Sequence, residues 1–217
     1  MHRSGFRWAA RLALASGAAL SLVGPALAAN KLGDASKAFP FAANYQRLPA
    51  ADRSRFTAAY YFRVGGQPLT APAWIVTDGQ RVALPLDANG RAGRLPTLAE
   101  LDHGKLEIAI DAQTKLSVNL TVEPAIAPAA DLDAQELALA IAQAATGSKK
   151  AAGLLALALP RFDDVIFVGA GSGEIEFADG HKAPLPMVKG HPAYTPSAQP
   201  NARRIHLART PLKLDID

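Results

Sequence analysis

The chain has 217 residues, no cysteine, 23 Lys and Arg against 19 Asp and Glu, and a formal net charge of +4. The missing cysteine excludes a lipid-modified N-terminal cysteine, cysteine metal sites and thiol catalysis. The basic balance does not indicate nucleic-acid binding. Arg3, Arg7 and Arg11 account for most of it, the balance without them is +1, and the other cations form no stripe.

Those arginines open an expected export signal over residues 1–28. An apolar stretch from Leu12 to Val23 follows them, and Ala26 and Ala28 supply the small residues of a cleavage site near Ala28. The apolar stretch is too short to span a bilayer, which needs about 20 residues. No later stretch reaches 18 consecutive apolar residues, so no transmembrane segment is expected in the mature chain. The expected location is the periplasm of a Gram-negative bacterium, or the medium if secretion is complete.

Residues 30–55 show no clean period and read as a partly ordered arm. Alternation begins at Tyr60, Phe62 and Val64 and stops at Gly65-Gly66, as a strand running into a turn does. Residues 76–85, VTDGQRVALP, lie in a hairpin pattern around Asp78-Gly79. The clearest strand pair is KLEIAID (105–111) and KLSVNLTVE (115–123), with DAQT as the turn. Leu116, Val118, Leu120 and Val122 make the buried face; Ser117, Asn119, Thr121 and Glu123 make the wet one.

The middle is helical. Asp133 with Glu136 reads as a capping box, and Leu137, Ile141 and Ala145 keep helical spacing to Gly147. A second segment from Ser148 runs into Ala151–Leu159, which is apolar on every side and reads as a buried helix or a buried strand. Strand signals return from Asp164 and continue to the end. The expected fold is mainly β (α+β by content), with antiparallel sandwich-like sheets and a central helix or helix pair. It divides into a β-rich region 30–124, a helical connector 125–160 and a β-rich region 161–217.

Residues 177–186, FADGHKAPLP, closely match 76–85. The two Asp-Gly pairs are the only ones in the chain, and each is followed by Leu-Pro at the same distance. Region 161–217 is therefore a candidate diverged repeat of 60–110, the alternative being one turn solution reached twice.

Little in the sequence announces chemistry. Gly169, Gly171 and Gly173 follow a strand but precede another strand, so they read as a hairpin loop and not as a phosphate cradle. Asp163-Asp164 are adjacent in a strand-entry turn and diverge. His181, His191 and His206 are the candidate metal ligands, although their spacings match no metal signature. The loop 191–204, with three prolines, offers Tyr194, Arg203 and Arg204 as a candidate partner surface. The expected function is non-catalytic binding of an envelope component or partner protein. One alternative is a metal-dependent or other hydrolase using His181 or His191 near Asp179. The other is binding of a small ligand or saccharide between sheet and helices. No cofactor is implied.

Overall fold

The computed structural model describes residues 30–153 and 161–217. The expected export signal and most of the apolar run 151–159 lie outside the described residues. The first part of the chain forms β1 (Asn30–Asp34), α1 (Ala35–Ala38), α2 (Ala42–Arg47), a 3-10 turn (Ala50–Asp52) and β2 (Phe56–Val64). It continues through β3 (Gln67–Pro68), β4 (Ala73–Thr77), β5 (Gln80–Ala83), α3 (Leu98–His103), β6 (Lys105–Asp111) and β7 (Leu116–Pro124). Then come β8 (Asp131–Asp133), α4 (Ala134–Ala152), β9 (Val165–Val168), β10 (Gly173–Phe177) and β11 (Lys182–Pro184). The chain closes with β12 (Met187–Val188), β13 (His191–Tyr194), β14 (Ala202–Leu207) and β15 (Lys213–Ile216).

These strands make three sheets. A long sheet has the order β12-β13-β9-β15-β7-β2-β3, and two four-stranded sheets have the orders β1-β6-β4-β5 and β11-β10-β14-β8. Every ladder is antiparallel. One face of the long sheet carries both cores. Tyr60 and Phe62 of β2 are buried with Ile75, Leu106 and Ile108 of one small sheet. Val165 and Phe167 of β9 are buried with Ile175, Ile205 and Leu207 of the other. The fold is thus mainly β, sandwich-like and antiparallel, with the helices between and beside the layers.

The same strand order occurs twice. In the first half, β1-β6-β4-β5 faces a long-sheet segment in which β2 has β7 on one side and, on the other, the short β3 together with an isolated bridge from Tyr61 to Arg91. In the second half, β8-β14-β10-β11 faces a segment in which β9 lies between β15 and β13. The halves meet where β7 pairs with β15, at Val122 and Ile216.

Several sequence expectations change. The segments KLEIAID and KLSVNLTVE do not pair with each other. The turn Asp111–Thr114, closed by the Thr114 N–H on the Asp111 carbonyl at 2.9 Å, carries the chain from a small sheet to the long one. Alternation marks which face is buried, and two strands facing each other across a sandwich alternate just as two neighbours do. The Gly169–Gly173 stretch is also a crossing between sheets and not a hairpin. The arm 30–55 is ordered: Ala35, Phe39 and Ala42 are buried at helical spacing, and Pro40 interrupts the run, which hides its period in the sequence. Helix α4 passes through Gly147 without a break.

Candidate functional site

Tyr60-Tyr61-Phe62 puts apolar bulk on both faces of β2, and a strand of that kind has both faces covered. Tyr60 and Phe62 enter the core; Tyr61 points to the other face of the long sheet and is only 3% exposed. Opposite Tyr61 on one side is Arg91, held by an isolated bridge. On the other side β7 brings Glu123 to the same face, because Thr57 pairs with Glu123 and Tyr61 with Asn119. The Tyr61 hydroxyl donates to Glu123 Oε1. The Arg91 Nε and Nη2 donate to Glu123 Oε2 at 3.1 and 2.9 Å. Glu123, read from sequence as a wet-face residue, is 8% exposed and is the buried charged residue of the described chain.

A compact turn presents this arginine. The Asp87 Oδ1 accepts from the backbone N–H of Asn89 at 2.8 Å and of Arg91 at 2.9 Å. The Gly90 that lies between them has φ +72°, and a Cβ there would stand 2.4 Å from the Phe62 carbonyl oxygen. Only glycine lets the turn sit this close to β2. From the second half, Lys213 lies 4.8 Å from the centre of the Tyr61 ring and pairs with Asp215.

Together these residues edge a cavity of about 380 Å³ beside the β7–β15 seam. Its polar wall is Thr57, Asp87, Asn89, Arg91 and Glu123; Ile126, Pro128, Leu212 and Leu214 supply apolar surface. Burial comes first in raising the Tyr61 pKa, with Glu123 adding to it, so the hydroxyl stays protonated. The pKa of Arg91 is also raised, by Glu123 against the opposing effect of its burial. The charged residues that line the cavity are Arg91 and Lys213 on one side of the balance and Glu123 and Asp87 on the other, two basic against two acidic.

The matching place in the second half is built differently. There the residue on β9 is Ile166, 4% exposed, and its partner on β13 is Ala193, fully buried. In that half apolar residues stand where Tyr61 and Arg91 stand in the first, while the residue opposite Ile166 on β15 is Asp215, paired with Lys213.

The residues singled out from sequence are not gathered into a site. His181, at the β10–β11 turn, has its Nδ1 2.9 Å from its own Asp179 and its ring stacked on Phe177 at 4.3 Å. His206 lies between Asp131, at its Nδ1, and Glu176, 3.1 Å from its Nε2. His191, on β13, has its Nδ1 3.4 Å from the Gly169 N–H. Among the described residues no group of three or more His, Cys, Asp or Glu is placed to hold a metal ion. Tyr194 is corrected outright. It is 3% exposed and belongs to the core, because 191–194 is strand β13 and not part of a surface loop. Arg203 and Arg204 are exposed on β14, so the proposed three-residue contact does not exist.

A second cavity, of about 320 Å³, lies between the long sheet and helices α2 and α4, lined by apolar residues that include Phe41, Phe56, Leu120 and Phe162. Ala152 and Phe162 in its wall flank the stretch 154–160, outside the described residues, and no site is assigned there. Comparison with known proteins gives no match to a family model, to a curated protein or to a solved structure.

Proposed function

We propose that the chain is an exported, non-catalytic binding protein of the bacterial envelope, and that the polar pocket beside the β7–β15 seam takes a neutral, hydroxyl-rich ligand of the saccharide class. The observation that carries this is the buried Tyr61–Arg91–Glu123 cluster, set where the equivalent junction is Ile166 and Ala193. Burying charge is costly, and the other half places apolar Ile166 and Ala193 at the positions that Tyr61 and Arg91 fill here.

The chemistry favours hydroxyls. Planar polar side chains (Asp87, Asn89 and Arg91) with the Thr57 hydroxyl suit neighbouring alcohol groups that both donate and accept. The paired charges leave little net field to select an ion. The volume falls in the small-ligand range, which begins at about 300 Å³. Catalysis is disfavoured because both Glu123 oxygens are already engaged and the Tyr61 proton is held tightly. The metal-dependent hydrolase reading gains no support, because among the described residues no three His, Cys, Asp or Glu are grouped to hold a metal ion. Export rests on residues 3–28, and no helix among the described residues is long and apolar enough to cross a membrane.

The test is a panel of neutral mono- and oligosaccharides at millimolar concentration, read by thermal shift and by amide and ring NMR. A binder at 100 times its Kd stabilises by about 2.7 kcal/mol and perturbs Asn89, Arg91 and Tyr61. Asn89→Ala should weaken it about fivefold or more without loss of fold, since Asn89 is exposed. Arg91→Ala should abolish it and destabilise by about 1–3 kcal/mol, since Glu123 keeps only Tyr61. If no saccharide moves those resonances, the reading is wrong.

A further inference from the structure

We infer that the chain is a fused homodimer: two copies of one unit, residues 30–122 and 131–217, related by a half-turn about an axis through the β7–β15 seam. The matching extends well beyond the Asp-Gly and Leu-Pro motifs. It includes the helices and fixes how the copies meet.

The ladders correspond residue by residue. Ile75 lies opposite Leu106 in the first unit, and Ile175 opposite Ile205 in the second. Two residues along, Ala73 faces Ile108 and Gly173 faces Leu207. The buried leucines of the two Leu-Pro pairs make the same bond. The Leu84 N–H donates to the Ala73 carbonyl at 2.9 Å, and the Leu185 N–H to the Gly173 carbonyl at 2.9 Å. After each Leu-Pro, a further turn brings the chain back beside β2 or β9, at Arg91 and at Ala193.

The entry to each unit corresponds too. Asp34 ends β1 opposite Lys105 and is the N-cap of α1; Asp133 ends β8 opposite Arg204 and is the N-cap of α4. The next residue, Ala35 or Ala134, is fully buried. Each unit also crosses from the long sheet to its small sheet through a threonine-led turn closed by a downstream side chain. The Thr97 N–H donates to Glu100 Oε2 at 2.7 Å, and the Thr195 N–H to Gln199 Oε1 at 2.9 Å. By this matching β8 and α4 open the second unit, and the true connector is the short stretch 123–130.

The seam strands β7 and β15 are themselves equivalents. Phe62 faces Val118 and Phe167 faces Leu214; Tyr60 faces Leu120 and Val165 faces Ile216. Equivalent strands paired antiparallel in one continuous sheet, with the same face inward, are related by a twofold axis perpendicular to that sheet. The strand order on either side of the seam, β7-β2 against β15-β9, obeys it.

A half-turn has a consequence that two unrelated halves would not share. The gap from Thr121 to Ala129 must equal the gap from their equivalents, Asp217 back to Asn30. A circular permutant opened between residues 126 and 127, with Asp217 joined to Asn30 by a second copy of residues 122–128, the stretch between their equivalents 121 and 129, should therefore fold. Its far-UV circular dichroism should match that of the parent, and its Tm should lie within about 10 °C. A control permutant carries a 20-residue Gly/Ser joint instead. If only the control folds, the gaps are unequal and the half-turn is wrong. If neither folds, a crystal structure of the unpermuted chain decides: superposing 30–122 on 131–217 must give a rotation near 180° with the ladder partners above, and any other rotation or partner set overturns the inference.

Discussion

Burial holds the hydroxyls of Tyr60, Tyr61 and Tyr194 neutral, raising each pKa above the ordinary tyrosine value. A raised folded pKa means that the associated stability is whole below the unfolded value, near 10, and is lost as pH climbs beyond it. Unfolding should therefore set in above about pH 10, driven by tyrosines that ionise only in the unfolded chain. Tyrosinate absorbance at 295 nm, followed beside far-UV circular dichroism, should rise in step with loss of structure. More than one tyrosine's worth of signal before that loss would contradict the burial described for these three of the four tyrosines. At this scale the sequence was least legible. Glu123 stands in strict alternation with apolar residues, and nothing local distinguishes it from Ser117 or Asn119, which do face water. Its burial comes from Arg91 and Tyr61, 32 and 62 positions away, and pairing over such separations leaves no mark in a period-two pattern. Tyr194 failed for the opposite reason: the prolines around it suggested a loop, but Pro192 is buried within β13 at the Met187 pairing.

Among the elements, α4 makes the sharpest case. Gly147 resembles a helix stop in sequence, yet the Asp133 side chain caps Gln135 and Glu136 at the N-terminus and the helix continues to Ala152. A Cβ at Gly147 would stand 2.7 Å from the Asp52 carbonyl oxygen and 2.8 Å from the Phe56 ring. On propensity alone Gly147→Ala would gain about 1 kcal/mol. The clash should outweigh that gain and leave the variant about 1–3 kcal/mol less stable, measured as the urea midpoint at unchanged slope. A more stable variant would mean that α4 does not approach Phe56 this closely. The hairpins were legible because their signal is local. Asp78 and Gly79 both have positive φ, as a two-residue type I′ turn requires. In the second hairpin only Gly180 does, and its N–H bonds to Phe177 as in a type I turn with a bulge. The same dipeptide thus serves two turn geometries one residue apart in length.

At the scale of the whole molecule, composition and strand signals were enough to give a mainly β, antiparallel, sandwich-like fold. They could not assign strands to sheets, because consecutive strands here repeatedly cross between layers. The resemblance between the halves survives in sequence mainly at Asp-Gly and Leu-Pro, where backbone geometry limits substitution; elsewhere apolar residues have been exchanged freely, as Leu106 for Ile205 or Ile108 for Leu207. Export is tested on the intact molecule. Protein recovered from a periplasmic fraction should have the mass of a chain beginning at Ala29, and uncleaved protein confined to the cytoplasm would refute the proposed location.

The Leu-Pro pairs have one more effect. β5 and β11 are free edges of the two small sheets, and each runs only three or four residues before its proline. Pro85 and Pro186 are exposed and have no N–H to offer. A strand arriving from another molecule finds a ladder that ends almost as soon as it starts, so growth by edge-on stacking is blocked at both places. What the two halves have kept alike is thus also a guard against fibrous aggregation, which a molecule with several open sheet edges needs wherever it is concentrated.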